Sequence, residues 1–359
     1  MRKRRIIIPV LVIGVALITA RAVMPSMVRS YVNSRLADMG EYSGHVADVD
    51  LALWRGAYTL KALVIDKVGG ATETSFLELP SMDISLDWGA LFSGELVGQI
   101  EAYGPRLNLI QAEDEEETQL GSGVNWPDEI RELFPFRFNR VDVYGGHADF
   151  LAPGIASDDA LRISDLRLAL RNLTNINEED VDAFAELEFT GRFMESAPVE
   201  VFGQIDPNKD QPTFDLNFTL EGADVTAVNP WLDEFLNVDA ETGTFSLYSE
   251  FAAAEGRFVG YARPIIEDVE IYRSGEEAAG PFRRFWEALV DFGRNVVENE
   301  QTDAVATQIP IEGELQDPDA GILVAVVNVL RNGFIAAFAH ALEGSIDLKD
   351  VDPDAEPPD

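Results

Sequence analysis

The chain contains no cysteine, and it has only five lysines and three histidines among its 359 residues. Without cysteine there can be no disulfide, no thiolate zinc site and no thiol nucleophile. The three histidines, His45, His147 and His340, are widely separated and form no His-x-x-x-His or His-Glu pair. A histidine metal centre is therefore not predicted, and we expect neither a metal nor a cofactor.

The sequence signatures of common enzyme chemistry are missing as well. It has no P-loop, no Gly-x-Ser-x-Gly elbow and no Gly-x-Gly-x-x-Gly loop. Carboxylate pairs are abundant, but with 64 acidic residues they arise by chance and identify no glycosidase dyad. The acidic run at 113–117 lacks the ligand spacing of a calcium loop and is predicted to be a solvated loop. We predict that the protein is not an enzyme, and the alternative is a hydrolase that uses two carboxylates.

Positive charge is scarce relative to negative charge. The 64 acidic residues face 27 basic ones, which gives a formal net charge of -37. Such a surface is repelled by nucleic-acid phosphates and by anionic lipid headgroups, so no nucleic-acid partner is expected. It suits high salt, and our hypothesis is that the protein works at elevated salinity.

A basic cluster followed by an apolar run opens the sequence. Arg2, Lys3, Arg4 and Arg5 precede fifteen residues without a charge, from Ile6 to Ala20. Cations before an apolar run stay on the cytoplasmic side, so the bulk of the chain, from about Val28 onward, is predicted to lie across the membrane. The predicted anchor residues are Ile6, Ile7, Ile8, Val10, Leu11, Val12, Ile13, Val15, Leu17 and Ile18.

The same segment has a second interpretation. Ala20-Arg21-Ala22 has the small-x-small form that a signal peptidase accepts, so a cleaved signal peptide is the alternative to a retained anchor. Pro25 is predicted to break the span, and residues 27–36 are predicted to form a short amphipathic segment at the outer surface.

The dominant period of the remaining chain is two, which is typical of antiparallel strands with one buried face. Phe214 to Glu221 alternates without a fault. Gly-Gly, Gly-Pro, Asp-Pro-Asn and Glu-Gly pairs between the runs predict turns. We therefore predict a mainly β fold, a long antiparallel meander whose runs lie at 51–53, 58–66, 82–88, 96–102, 107–111, 136–143, 166–170, 181–190, 199–205, 214–221, 244–251 and 269–272.

Three helices are predicted between or after the strands. Asn229 is a candidate N-cap for a short helix over 230–236, because Pro230 suits a first helical turn. Apolar residues at helical spacing predict a second helix between Pro281 and Asn299. A third is predicted from Ile322 to Leu342, and it is expected to pack on the sheet because Arg331 and two asparagines disfavour a second membrane span. The acidic, proline-rich end at 347–359 is predicted to be disordered.

Four stretches resemble the AsmA-like family of envelope proteins, in particular the branch catalogued as a domain of unknown function. The first runs from Pro25 to Leu36 and on through 49–65, similar to the opening hairpin of the family. The second covers 79–97 with the Gly104-Pro105 motif of 104–109, and the third joins 228–232 to 243–247. The last is 309–318. These are patterns of apolar spacing and turns, spread over most of the chain.

The resemblance implies an N-terminal transmembrane helix followed by an elongated, curled antiparallel sheet with a few covering helices. In this architecture, related to bridge-like proteins with repeating β-groove units, a taco-like apolar groove stands in the periplasm and relatives guide phospholipids. The implied domains are residues 1–28, 29–346 with a possible subdivision near 111–125, and 347–359. The implied partners are a phospholipid or other acyl lipid, the inner membrane and an envelope protein.

The resemblance implies a groove, and the alternating apolar face of the strands fits it, since such a face could hold acyl chains. The same face could instead be an ordinary core packed on the helices, and the sequence leaves both interpretations open. The corresponding functions are phospholipid transport or outer-membrane homeostasis, and a lipid-free envelope assembly scaffold. The candidate lipid-contact residues are Leu187, Phe189, Phe214, Leu216, Phe218 and Leu220.

Overall fold

The protein is described here from a computed structural model of the chain. The predicted anchor, the predicted helices between Pro281 and Asn299 and from Ile322 to Leu342, and the predicted tail lie outside the described residues. Among the described residues no helix is long and apolar enough to cross a bilayer. The described residues are 23–52, 56–70, 74–86, 97–121, 123, 124, 126, 129, 137–173, 184–206, 209, 211, 213–236, 238–273 and 309–314.

One large curled sheet of thirteen strands dominates the described part of the chain. Its first half contains β1 (Tyr42–Ala52), β2 (Ala57–Lys67), β3 (Leu77–Leu86), β4 (Val97–Tyr103), β5 (Arg106–Ile110), β6 (Arg137–Leu151) and β7 (Leu161–Arg171). Its second half contains β8 (Ala185–Phe193), β9 (Ala197–Asp206), β10 (Thr213–Asp224), β11 (Val238–Ala254), β12 (Arg257–Arg273) and β13 (Ile309–Glu314). The spatial order is β1-β2-β3-β4-β6-β7-β8-β9-β10-β11-β12-β13, and β5 pairs with β3 and β6.

The prediction of a mainly β fold is confirmed, and each predicted run overlaps an observed strand. The sheet is not purely antiparallel, however, because β4 and β5 both run parallel to β6. The predicted turn at Gly104-Pro105 is therefore wrong. Strands β4 and β5 both run antiparallel to β3, so the chain continues in one direction through this motif.

Gly104-Pro105 is a kink within a nearly continuous strand. The Gly104 backbone adopts φ +63°, its N–H donates to the Tyr144 carbonyl at 2.8 Å, and the Pro105 carbonyl accepts from the His147 N–H at 2.9 Å. Gly145-Gly146, also predicted as a turn, lies opposite this kink inside β6. A side chain at Gly146 would meet the Pro105 ring, which explains why glycine fits there. Both motifs bend strands where turns were expected.

Glu221-Gly222 is likewise a bulge inside β10 and not a turn. The register of β10 against β11 shifts between Leu220 and Ala223, and Gly222 has φ +60°. A bulge with a left-handed glycine inserts an extra residue and increases the local twist. Gly69-Gly70, in contrast, stands between β2 and β3 as predicted. Pro207 and Asn208 of the predicted Asp-Pro-Asn turn lie outside the described residues.

A helix, which we call α1, covers the N-terminal end of the sheet. Residues 23–36 are helical and include the predicted amphipathic segment at 27–36, while the span that Pro25 was predicted to break lies outside the described residues. Val32 and Leu36 are buried in a core with residues of the first strands. The Asn33 side chain accepts from the Val46 N–H at 2.7 Å and donates to the Val46 carbonyl at 3.2 Å. This amide fixes α1 to the backbone of β1.

A short helix, α2 (Asn229–Leu236), lies near the other end of the sheet. The predicted helix is thus confirmed, but Asn229 is helical itself and does not cap it. Its amide instead donates to the Ala240 carbonyl and accepts from the Ala240 N–H, both at 2.9 Å. Trp231 anchors the helix sideways, because its indole N–H donates to the Asp159 carbonyl at 2.7 Å and its ring stacks on Phe150.

Candidate functional site

Two rows of side chains cross one face of the sheet from end to end. In each row, residues directly opposite each other on neighbouring strands carry the row from β1 to β13. The first row is Leu51, Tyr58, Ile84, Ile100, Val141, Leu170, Leu187, Gly203, Leu216, Phe251, Gly260 and Ile311. The second row is Val49, Leu60, Met82, Ala102, Val143, Leu168, Phe189, Val201, Phe218, Ser249, Ala262 and Ile309.

These rows form what we call the inner face, and neither of them contains a charged side chain. The only side-chain oxygen atoms in the two rows belong to the Tyr58 phenol and the Ser249 hydroxyl. Because side chains alternate between the two faces of a sheet, the row that lies between them points the other way, to the outer face. That row is Asp50, Thr59, Asp83, Glu101, Asp142, Ala169, Glu188, Phe202, Asn217, Glu250, Tyr261 and Pro310.

Burial along the inner face is uneven. At the N-terminal end, Leu60 and Ile84 are 1% and 0% exposed and belong to the core that contains α1. At the C-terminal end, Leu216 and Phe251 are 4% and 3% exposed in a second core. The stretch between these ends is only half-buried. Its members, which we call the central patch, are Val141, Val143, Leu168, Leu170, Leu187, Phe189, Val201 and Phe218.

The six predicted lipid-contact residues all belong to or pack against the C-terminal core. Phe214, Leu216 and Leu220 are almost fully buried in it, at 3%, 4% and 3% exposure. The other three, Leu187, Phe189 and Phe218, lie in the central patch. The structure therefore brings the six together and divides them into a packed half and a half-open one.

Five residues of the central patch were not among the predicted contacts: Val141, Val143, Leu168, Leu170 and Val201. Their strands were predicted, since all five lie inside the alternating runs found in the sequence. The missing information was the register. Only the pairing of Val141 with Leu170, and of Leu170 with Leu187, places these side chains on the face of the predicted residues.

Ser249 is the polar exception within the second row. It is 5% exposed, and its hydroxyl has no hydrogen-bond partner among the residues that the structure describes. Its neighbours across the strands are Phe218 and Ala262, and Leu247 and Phe251 flank it on the same face. A buried hydroxyl without a partner loses its hydration without compensation, so this side chain is unfavourable where it stands.

The outer face has a different chemistry, with carboxylates paired to the few cations. Arg162 contacts Asp149 at 2.7 Å, Arg140 contacts Asp142, and Lys61 contacts Asp50. Tyr103 donates its phenol proton to Glu101, and this hydrogen bond, with a smaller contribution from desolvation, raises the pKa of Tyr103 to about 12. The ring of Tyr103 stacks on that of Tyr144 at 5.6 Å.

The metal-site expectation can be compared with the described side chains. Within the described ranges, no group of three or more His, Cys, Asp or Glu side chains could hold a metal ion. His45 lies in β1 and His147 in β6, opposite Arg106, while His340 is outside the described residues. Part of the acidic run, Glu115–Glu117, forms a short 3-10 turn.

No family model and no curated protein matches the chain. Membership of the AsmA-like family accordingly stays a prediction that rests on the residue patterns quoted above.

Proposed function

We propose that the protein binds an acyl lipid against the central patch, inside a β-groove formed by the inner face. The observation that carries this proposal is the half-open stretch of uncharged, apolar side chains between two closed cores. An apolar surface of this kind gains free energy when it is covered, by about 0.8 kcal/mol for each CH2 group that leaves water. A hydrocarbon chain needs no other chemistry from its site.

The envelope setting of the proposal comes from the sequence. A basic cluster before an apolar run is typical of a single-span protein with a cytoplasmic N-terminus, here in a cell inner membrane with the bulk of the chain in the periplasm. A role in phospholipid transport or outer-membrane homeostasis would account for both the periplasmic location and the apolar central patch.

The size of the sheet limits that role. Twelve strands side by side at a spacing of about 4.8 Å give a face roughly 50 to 60 Å long. We expect the protein to act as a shuttle or with a partner, because a complete conduit between two membranes needs more length.

The outer face favours a second candidate, an envelope scaffold that acts through a protein partner without lipid. Six of the twelve residues in the row Asp50 to Pro310 are acidic, and Phe202 within it is 53% exposed. An exposed aromatic side chain among carboxylates suits a basic partner surface. A stable protein complex that carries no lipid through purification would favour this candidate.

Site-specific photocrosslinking of the full chain in its membrane tests the first candidate. A photoreactive residue replaces Val201 of the central patch, and the matched control replaces Phe202, its neighbour in β9 on the outer face. We expect labelled phospholipid to be crosslinked at position 201 and not at 202. Equal labelling at the two positions, or none at either, would refute the groove and direct the search to protein partners.

A further inference from the structure

The Ser249 hydroxyl is buried in hydrocarbon surroundings without a partner, at the border of the central patch. The rest of the inner face around it is apolar, so an alanine in its place would pack at least as well. Its register partner Phe218 belongs to the central patch, and side chains directly opposite each other on antiparallel strands have Cβ atoms about 4.5 to 5.5 Å apart. A ligand that lay along the patch would meet the hydroxyl if the Phe218 ring turned aside.

We propose that Ser249 donates a hydrogen bond to the carbonyl oxygen of an acyl group, and that this contact selects acyl lipids over plain hydrocarbons. The inference deepens the proposed function and rests on it. A serine hydroxyl donates one hydrogen bond and accepts others, and an ester or carboxyl carbonyl oxygen is an acceptor. Such a bond satisfies the one orphan donor of the second row when the ligand is bound.

The carbonyl has two possible sources, an ester-linked glycerolipid or a free fatty acid. Both sources present an acceptor oxygen to the hydroxyl, a neutral carbonyl oxygen in the ester and a carboxylate oxygen in the ionised fatty acid. The other buried polar atoms without a partner among the described residues are Asn139 Oδ1 and Arg263 Nε. Neither belongs to the two rows of the inner face, so Ser249 is the group that a chain in the patch would meet.

Binding of three radiolabelled probes to the purified full chain tests the assignment. The probes are palmitic acid, methyl palmitate and hexadecane, which share a chain length and differ in the carbonyl group. Wild-type protein is expected to bind the two carbonyl compounds more tightly than hexadecane. Ser249→Ala should weaken methyl palmitate binding by about fivefold, the loss of one neutral hydrogen bond, and should leave hexadecane binding unchanged. Palmitic acid binding should weaken by at least as much, because its carboxylate accepts a stronger hydrogen bond.

The control variant is Ser246→Ala, in the same strand but on the outer face, where its hydroxyl accepts from the Gly222 N–H at 2.9 Å. It should leave all three affinities unchanged. If Ser249→Ala binds methyl palmitate more weakly than wild type does, an ester carbonyl is sufficient for the contact. If only the affinity for palmitic acid falls, the free acid is the ligand. Either result supports the hydrogen bond.

Two results would overturn the inference, and they differ in what they leave standing. If wild type binds all three probes equally and Ser249→Ala changes none of them, the serine selects nothing while the apolar groove survives. If no probe binds to wild type or variant, the groove fails and the inference fails with it. Thermal unfolding of the lipid-free proteins adds an independent readout, because removing an unpaired buried hydroxyl should raise the midpoint of Ser249→Ala above that of wild type.

Discussion

Single asparagines join helices to strands at both ends of the sheet. Asn33 in α1 bonds both backbone groups of Val46, and Asn229 in α2 bonds both backbone groups of Ala240. Each lies in a Val-Asn-x-x-Leu pentapeptide, 32–36 and 228–232, and each precedes a long strand and its hairpin partner. The same device appears twice, and only the contacts reveal it, since an asparagine in a helix is otherwise typical of a cap.

Replacing either asparagine by alanine should lower the free energy of unfolding by about 1 to 3 kcal/mol, because a partly buried N–H and C=O each lose a partner. The two changes lie in different cores, so the double variant should show their sum within about 0.5 kcal/mol. Chemical denaturation of Asn33→Ala, Asn229→Ala and the pair measures this. Asn217→Ala, on the outer face of β10, is the control with a small expected effect. A loss of unfolding free energy no larger than that of the control would show that the Asn33 and Asn229 hydrogen bonds do not stabilise the fold.

A partly buried phenol on the inner face, that of Tyr58, makes the free energy of unfolding depend on pH in the alkaline range. Burial raises the pKa of Tyr58 well above its ordinary value of 10.0, with a smaller contribution from Tyr31. Above a pH of about 10 the unfolded chain releases this proton while the folded chain keeps it. The contribution is complete below the unfolded pKa and is lost as the pH rises beyond it, by up to about 1.4 kcal/mol per pH unit.

Denaturation of Tyr58→Phe across this alkaline range, together with titration of tyrosinate absorbance, checks the effect. The variant should lose less stability per pH unit than wild type. Equal slopes would show that Tyr58 ionises as easily in the folded chain as in the unfolded one.

For the elements, alternation in the sequence predicted twelve of the thirteen described strands, all except β13, and was insufficient to predict their connections. Phe214 to Glu221 has the pattern of a strand with one buried face, and β10 lies there. The dipeptides Gly104-Pro105 and Gly145-Gly146, in contrast, indicated turns. In the structure the first is a kink between β4 and β5, and the second lies opposite that kink inside β6. Positive φ angles serve turns and bulges equally, and only the pairing partner separates the two.

The same limit applies to the candidate site. The predicted contacts Leu187 and Leu216 share a row, yet one is half-buried and the other is in a closed core. Exposure depends on what neighbouring strands and helices bring above the face, and alternation carries no information on this. The five unpredicted residues of the central patch needed the register between β6, β7, β8 and β9.

Truncating side chains along one row should separate the core from the central patch. Leu216→Ala should cost about 2 to 5 kcal/mol of unfolding free energy, as expected for a leucine lost from a closed core. Leu187→Ala should cost less than about half as much in lipid-free protein, since its side chain is already partly in contact with water. Denaturant titration of both variants measures the contrast. Equal losses would show that the central patch is packed like the cores.

For the whole molecule, the net charge of -37 is the property with the widest effect. Self-repulsion among carboxylates destabilises a compact state, and salt screens it by shortening the Debye length from about 10 Å at 0.1 M to about 3 Å at 1 M. Raising NaCl over this range should therefore raise the thermal midpoint. Sodium sulfate at equal ionic strength and a glucose series at equal osmolarity distinguish screening from exclusion effects. A midpoint that does not rise would contradict the salinity hypothesis.

The contact between Asn33 and β1 also bears on self-association. An edge strand offers unpaired N–H and C=O groups on which another chain can add a strand and start aggregation. At Val46 the asparagine amide already occupies both of these groups, so an incoming strand would have to displace α1 along with it. This protection matters for a protein with a half-open apolar face. If the edge of β1 were also free, chains could associate both through the central patch and by strand addition, and aggregation would be favoured.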